Sequence, residues 1–289
     1  MVELRNMDKL SIILAAQPHH FDGKPVTAYS SVLIGNYINE IVRRVDPKKR
    51  NIDEFVNEEI NKPLGTELYF TITKEMFDKR FGYMYFYPLF KFITLIVENW
   101  IIEPLRVKLG YEPDVDVDNV RNLFDENRLL NKSFKVFEKD IIIEHSNEYE
   151  TATLLFPGAC LKSNAHSIAK VSALIANGGE LDGIRLLSKE SLDKALELQE
   201  AVYDINLRIK FVRSQNGWAT IDNSSSNTLR GNNRLFGWTG FGGSSFIFNI
   251  DKNFSVSYVM NGMGNPKFTL DPRAFHLAQR FYDLIENDK

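Results

Sequence analysis

Residues 237–244 have the sequence Gly-Trp-Thr-Gly-Phe-Gly-Gly-Ser, and a run of residues typical of a β-strand follows them at once. The glycines at 240, 242 and 243 allow a backbone to approach another chain or a ligand closely. Thr239 adds a hydroxyl in the middle of the stretch. We expect this segment to bind the carbonyl oxygen of a substrate, although a β-bulge beside a hairpin would use the same glycines. Such a segment is not catalytic alone, because it needs a nucleophile and a base.

The elements that follow this stretch predict an α+β fold. Residues 246–250 and 255–260 alternate in polarity and are joined through 251–253, which predicts a β-hairpin. Asp271-Pro272 starts a last helix that packs on the hairpin sheet, with one face formed by Phe275, Ala278, Phe281, Tyr282 and Ile285. Helices precede this strand block instead of alternating with strands, so the pattern is α+β and not βαβ.

Apolar periodicity predicts several helices before the strands. A short helix covers 7–17, and a strong one follows Tyr29, with an inward face of Leu33, Ile34, Tyr37, Ile38, Ile41, Val42 and Val45. Asn51 and Glu54 form a predicted capping box for the next helix. A later helix ends at Asn177-Gly178-Gly179, and Ser188 caps the one after it.

The segment 81–102 is dense in apolar and aromatic residues. Pro88, Lys91 and Glu98 interrupt it, so it falls short of the uncharged run of about 18 residues that a membrane span needs. We expect a helix that packs on the domain and covers a site, and we do not expect membrane contact.

Composition excludes several classes of function. The formal net charge is −3 with acids and bases interleaved, which gives no electrostatic case for nucleic-acid binding. The single cysteine, Cys160, lies among small apolar residues and is expected to be a buried structural thiol. The five histidines form no metal-binding pattern, so we expect neither a metal nor a cofactor. The N-terminus is too charged for a secretory signal, which leaves a cytoplasmic location as the default expectation.

The order of four motifs resembles the serine β-lactamase-related family, which includes class C β-lactamases, related esterases, DD-peptidases and LACTB-like proteins. The motifs are Tyr29-Ser30-Ser31, Pro63-Leu64-Gly65, Asn177-Gly178-Gly179 and Trp238-Thr239-Gly240. The stretch 29–65 is most similar to the LACTB-like and esterase branch, and the resemblance is weakest over about 70–150. It implies a β-lactamase/transpeptidase-like fold, in which helices flank an antiparallel sheet beside a helical region. We expect one domain over 1–289, with the helical region at about 30–150 and the helix-plus-sheet region at about 151–289.

The resemblance also implies site residues. Tyr29 would relay a proton, Ser31 would stand where the family commonly has Asn, and Trp238-Thr239-Gly240 would be the substrate-binding strand. The backbone amide of Phe241 would be the oxyanion donor. Trp238 replaces a Lys or His of the family, which argues against β-lactams that carry a carboxylate. A small ester or amide, or a peptide, is the expected ligand, and self-association is a further expectation.

The family's Ser-x-x-Lys nucleophile motif is not recognisable in its usual place. Only 28 residues precede Tyr29, and none of them matches, so a long N-terminal part is expected to be missing. Ser191-Leu192-Asp193-Lys194 fits the motif literally but lies at the start of a predicted solvent-facing helix. Two hypotheses follow: a serine hydrolase domain that is inactive or incomplete as written, and a non-catalytic member that binds a ligand or assembles with itself.

Overall fold

The computed structural model describes residues 5–18, 21, 23–30, 33–85, 93–94, 97–111, 145–207, 209–215, 217–220, 235–240, 242–262 and 271–287. The chain divides into two compact units. The first comprises Met1–Tyr83 and Glu126–Asn164, and the second comprises Met84–Asp125 and Ala165–Lys289. The proposed single domain over 1–289 stays a prediction.

The described part of the first unit consists mainly of helices. They span Met7–Ala15, Leu33–Val45, Ile52–Val56, Lys74–Arg80 and Tyr149–Ala152, and a π-helical turn, Asn57–Asn61, continues into Lys62–Leu64. The predicted capping box is confirmed: the Glu54 amide donates to Asn51 Oδ1 and the Asn51 amide to Glu54 Oε2, both at 2.9 Å. Gly65 ends this helical stretch in the left-handed conformation, at φ 62°.

A small apolar core joins the first helix to the segment around residue 155. Leu10, Leu14, Leu154 and Phe156 are buried together, and Cys160 packs against them. The Tyr37 hydroxyl donates to the Leu14 carbonyl at 3.0 Å, which fixes the Leu33–Val45 helix to the first helix. Burial raises the pKa of the Cys160 thiol, as expected for a structural cysteine.

The Leu33–Val45 helix shows the predicted amphipathic period, but the prediction that its whole apolar face points inward is wrong. Its exposed apolar side chains are Ile34, Ile38, Ile41 and Val45, at 51%, 44%, 59% and 71%. Gly35, Asn36, Asn39 and Glu40 are buried instead. This face is small and can form hydrogen bonds. A Cβ at Gly35 would lie 2.6 Å from the Pro157 carbonyl carbon, and Asn39 Oδ1 accepts from the Ile52 amide at 2.9 Å.

An ion-pair network closes the turn after this helix. The Asp46 carboxylate accepts from the Arg50 backbone amide, Nε and Nη2, each at 2.9 Å. Arg50 Nη1 also donates to Glu58 and Glu59 at 2.7 Å. These hydrogen bonds lower the pKa of Asp46 to about 2 and raise the pKa of Arg50.

The second unit contains all eight described strands. They are β1 (Glu180–Leu181), β2 (Ile184–Arg185), β3 (Val202–Asp204), β4 (Ile209–Phe211), β5 (Ala219–Thr220), β6 (Leu235–Thr239), β7 (Ser245–Asn249) and β8 (Phe254–Tyr258). β1–β2 and β3–β4 are separate antiparallel pairs, and β5–β6–β7–β8 form an antiparallel sheet in that order. The described helices are Glu103–Lys108, Ala165–Ala176, Lys189–Ala195 and Pro272–Asn287, and a π-helical turn, Glu98–Ile102, precedes the first.

Two of these helices pack on the four-stranded sheet. The Ser255 hydroxyl on β8 donates to the Ala169 carbonyl at 3.0 Å. Ala278 and Tyr282 of the last helix are buried with Leu235, Ile247 and Phe254. The predicted hairpin and the last helix on its sheet are therefore confirmed. Phe281 is the exception within the predicted inward face, because it is exposed.

The apolar segment near residue 100 does not pack as predicted in its described part. Ile93, Trp100, Ile101 and Ile102 are exposed, whereas Glu103 is buried beside Arg106, with a 3.4 Å separation between Oε2 and Nη1. Among the described helices, none combines the length and the apolar character required to span a bilayer.

Because the Leu33–Val45 helix buries Asn39 and exposes Ile41, substitution of the polar residue should destabilise the fold more than substitution of the apolar one. Asn39→Ala should lower the free energy of unfolding by about 1–3 kcal/mol, because it leaves the Ile52 amide without its acceptor. Ile41→Ala, on the exposed side of the same helix, should change it by about 0.5 kcal/mol or less. Urea denaturation of both variants tests this. A larger loss in Ile41→Ala would contradict the orientation.

The Asp46–Arg50 pair predicts a dependence of stability on acid pH. Because the pKa of Asp46 is about 2 in the fold and 3.8 ordinarily, its contribution is complete above about pH 4 and is lost as the pH falls toward 2. The stability difference between the wild type and Asp46→Asn should therefore be constant from about pH 7 to pH 5 and shrink below about pH 4. Urea denaturation at each pH measures it. A difference that stays unchanged down to about pH 2 would contradict the assignment.

Candidate functional site

The candidate substrate strand is β6, and it lies inside the sheet. It pairs with β5 on one side and β7 on the other, and the β6–β7 register is continuous from Leu235↔Asn249 to Thr239↔Ser245. The described glycines 240, 242 and 243 therefore belong to the loop that joins the strands, and not to a bulge within the ladder. Thr239↔Ser245 is the last residue pair of the β6–β7 strands, and the connecting loop begins after it.

Two hydrogen bonds close the loop that follows Thr239. The Gly240 amide donates to the Ser244 carbonyl at 2.7 Å, and the Gly243 amide donates to the Gly240 carbonyl at 3.0 Å. Gly242 and Gly243 have φ of 101° and 117°, which side chains other than hydrogen rarely tolerate. The Met260 amide donates to Ser244 Oγ at 3.3 Å and fixes the far end of the loop. Gly242 and Gly243 are thus required by the conformation.

Thr239 carries an unsatisfied polar atom at the end of the ladder. Its Oγ1 is buried and has no hydrogen-bond partner among the residues that the structure describes. Leaving a buried hydroxyl unpaired costs about 1–3 kcal/mol.

The predicted site residues fall into three groups. Trp238, Thr239 and Gly240 follow one another at the end of β6, where Trp238 is half-buried and Gly240 is exposed. Tyr29 belongs to the first unit, where it is half-buried in a segment without regular secondary structure that precedes the Leu33–Val45 helix. Ser31 and Phe241 lie outside the described residues, so their assignments stay predictions.

The literal Ser-x-x-Lys sequence at 191–194 occupies the first turn of the Lys189–Ala195 helix. Ser188 caps this helix, with its Oγ accepting from the Ser191 amide at 3.1 Å. The Ser188 hydroxyl also donates to Ser191 Oγ at 2.8 Å. Ser191 and Lys194 are both exposed. Among the described contacts, the Ser191 hydroxyl meets the capping Ser188 hydroxyl and no general base.

Sequence reasoning missed one residue beside the loop. Asp271 is 1% exposed, and its carboxylate lies against Gly243, where an added Cβ would collide with it. The Asp-Pro pair signals a helix start, but no local pattern shows that its carboxylate contacts a loop 28 positions earlier in the chain.

Comparison with protein families identifies the chain. A family model described as Beta-lactamase matches residues 3–280. The chain therefore belongs to the beta-lactamase family. A search of curated proteins finds no significant match.

Solved structures show the same fold. A penicillin-binding protein homologue from Caulobacter crescentus matches with a TM-score of 0.68 at 20% identity, covering 98% of this chain and 65% of that one. A family VIII carboxylesterase matches with 0.67 at 23%, covering 98% and 65%. EstA from Arthrobacter nitroguajacolicus matches with 0.72 at 16%, covering 99% and 67%. The predicted β-lactamase/transpeptidase-like fold is confirmed, and the chain spans about two thirds of the length of these structures.

The unpaired hydroxyl of Thr239 predicts an unusual mutational effect. Thr239→Val removes a buried polar atom that has no described partner and keeps the side-chain shape, so the free energy of unfolding should stay unchanged or rise by up to about 1 kcal/mol. The control is Thr66→Val. The hydroxyl of buried Thr66 donates to Asn61 Oδ1 at 3.1 Å, and its loss should cost about 0.5–1.5 kcal/mol. Urea denaturation compares them, and equal losses would show that Thr239 Oγ1 is satisfied in the folded chain.

Proposed function

We propose that this member of the beta-lactamase family is an acyl-hydrolase-like protein of the esterase or peptidase type. The acyl group of an ester, an amide or a peptide would bind at the end of β6. The observation that carries the proposal is the buried hydroxyl of Thr239, which has no hydrogen-bond partner among the described residues and lies where the ladder ends and the glycine loop begins. Family membership supports the reaction class, and one structural neighbour is a carboxylesterase.

In this proposal the strand end supplies the donor that a developing oxyanion requires. Backbone N–H groups held in a fixed loop stabilise negative charge on a carbonyl oxygen without having to reorganise. In this proposal the amide of Phe241 is such a donor and Thr239 orients the bound acyl group. Tyr29 relays the proton, and Ser31 contacts the substrate. The family resemblance supports the roles of Tyr29, Ser31 and Phe241.

Trp238 favours an uncharged ligand. It occupies the position where the resemblance places a Lys or His, so the strand offers an aromatic surface instead of a cation. An indole can donate one hydrogen bond from its N–H but cannot neutralise a carboxylate. Neutral esters and amides are therefore favoured over β-lactams that carry a carboxylate.

The nucleophile is the part of the family machinery that these 289 residues do not recognisably supply. Ser191 is engaged with the Ser188 cap, and the described contacts place no lysine on its hydroxyl. Without a nucleophile, binding and oxyanion stabilisation give only residual catalysis. We therefore propose that this chain binds acyl ligands and hydrolyses them slowly or not at all.

Binding of a slowly hydrolysed neutral amide, butyranilide, tests the proposal. The backbone NMR signals of Trp238, Thr239 and Gly240 should shift on titration. Thr239→Val should weaken the affinity by roughly three- to tenfold, because one neutral hydrogen bond is worth about 0.5–1.5 kcal/mol. Thr66→Val should leave the affinity unchanged. No shift at Trp238–Gly240 at millimolar ligand would contradict the proposed site.

Turnover of p-nitrophenyl butyrate and nitrocefin forms the second arm of the same experiment. Slow hydrolysis that is equal in the wild type and in Ser191→Ala agrees with the proposal. Fast hydrolysis that survives Ser191→Ala would reveal another nucleophile in the chain, and fast hydrolysis that this substitution abolishes would make Ser191 the nucleophile. Either outcome with fast hydrolysis would overturn the proposal that the chain hydrolyses acyl ligands slowly or not at all.

A second candidate function is that of a non-catalytic, self-assembling family member. The exposed apolar side of the Leu33–Val45 helix favours it, because isoleucines and a valine spaced by three and four positions form a stripe suited to contact another surface. Light scattering distinguishes it from the first proposal. A mass that rises with concentration, together with no butyranilide binding, supports assembly, and a strict monomer at high concentration counts against it.

A further inference from the structure

The carboxylate of Asp271 packs against the glycine loop at Gly243. A Cβ built on Gly243 would meet Asp271 Oδ2, with Cγ at 2.9 Å and Cβ at 3.0 Å, so the loop backbone at Gly243 lies directly against the Asp271 side chain. Asp271 is 1% exposed, and Gly243 is also buried. The loop therefore cannot move toward the last helix without displacing a buried charged group.

Asp271 is itself held in place by several hydrogen bonds. Its Oδ1 accepts from the backbone amide and the Nε of Arg273, both at 2.9 Å, and its Oδ2 accepts from Arg273 Nη2 at 2.8 Å. Its carbonyl accepts from the Phe275 amide at 2.8 Å, which ties it to the start of the Pro272–Asn287 helix. A carboxylate fixed by a bidentate guanidinium has one orientation.

The same arginine connects Asp271 back to the end of the substrate strand. The Arg273 guanidinium carbon lies 5.7 Å from the ring centre of Tyr258. Tyr258 on β8 is paired with Ser245 on β7, and Ser245 is paired with Thr239 on β6. Successive contacts therefore connect Thr239 across the sheet to Arg273. Arg273 in turn binds Asp271, which contacts the loop at Gly243.

We propose that Asp271 is a positioning residue, which selects one conformation of the loop after Thr239 and so fixes the strand end that receives the acyl group. The link to acyl binding rests on the proposed function, whereas the contact between Asp271 and the loop is independent of it. Two neighbouring glycines at positive φ give the loop many accessible conformations. A rigid group on one side removes most of them, and a preorganised loop is what carbonyl binding requires.

Amide hydrogen exchange measured by NMR on the full 289-residue chain tests the inference. In Asp271→Ala the Gly240 and Gly243 amides should exchange at least about tenfold faster, because the loop can open locally. Asp271→Asn, which keeps the shape and an acceptor for Arg273, should restore most of the protection. The matched control is Asp204→Ala. Asp204 is 2% exposed in the same unit and accepts from the Asn206 and Leu207 amides at 2.8 Å, so its loss should affect those amides and leave Gly240 and Gly243 unchanged.

A double-mutant cycle provides a test from the loop side. Gly243→Ala places a methyl group against the carboxylate and should accelerate exchange at Gly240. Adding Asp271→Ala removes that collision, so the double variant should be less perturbed than the sum of the two single variants. Additive effects would show that the two residues act independently and would overturn the proposal.

The outcomes for this inference and for the proposed function are separable. Equal exchange at Gly240 and Gly243 in Asp271→Ala and Asp204→Ala overturns the positioning role, whatever the ligand data show. Faster exchange in Asp271→Ala without butyranilide binding to the wild type leaves the positioning role in place and removes the proposed function. If Asp271→Ala does not fold, amide exchange in Asp271→Asn and Gly243→Ala tests the positioning role instead. Wild-type exchange at Gly240 in Gly243→Ala overturns the contact.

Discussion

The pairing of β6 with β7 is the constraint on which the candidate site depends. Leu235 and Ile247 are buried under the last helix, and Phe236 stacks on Phe248 with ring centres 5.6 Å apart. Slipping the register by one residue would turn these side chains to the opposite faces of the sheet, so the core fixes which residues are paired. This packing therefore fixes the register that places Thr239 opposite Ser245 at the end of the ladder. The glycine loop begins where the core no longer dictates the backbone, and it needs a support of its own.

The first unit shows how an amphipathic pattern can give the right element and the wrong orientation. The period of Ile34, Ile38, Ile41 and Val45 correctly predicts a helix. Burial follows the other side, because Gly35 permits a backbone approach that no side chain would allow and Asn39 accepts a hydrogen bond from the start of the next helix. A pattern of hydrophobic residues predicts neither the close backbone approach at Gly35 nor the hydrogen bond that Asn39 accepts. The stripe that remains outside is the part of the helix that a further surface could cover.

Local signals determined most of what could be predicted from the sequence. The Asn51–Glu54 capping box, the hairpin of β7 and β8 and the start of the last helix all depend on residues a few positions apart. The family resemblance added the fold and the strand carrying Thr239. The contact of Asp271 with Gly243 could not be predicted, because it joins positions 28 residues apart that share no periodicity. Exposure of the segment near Trp100 was missed for a related reason, since composition does not say which side of an apolar helix faces the protein.

A buried polar group without a described hydrogen-bond partner is not by itself a sign of function. Asn36 and Thr239 both carry such groups, and their surroundings differ. Both amide atoms of Asn36 are buried without a described hydrogen-bond partner, as is the hydroxyl of Thr239. Asn36 lies within the Leu33–Val45 helix. Thr239 stands at the end of a ladder, beside a loop in which Gly242 and Gly243 have positive φ and Gly243 lies against the buried carboxylate of Asp271. The buried polar groups cost stability at both positions, but only Thr239 adjoins the loop for which an oxyanion donor, the Phe241 amide, is proposed. It is this combination that favours Thr239 as the place where a carbonyl is bound.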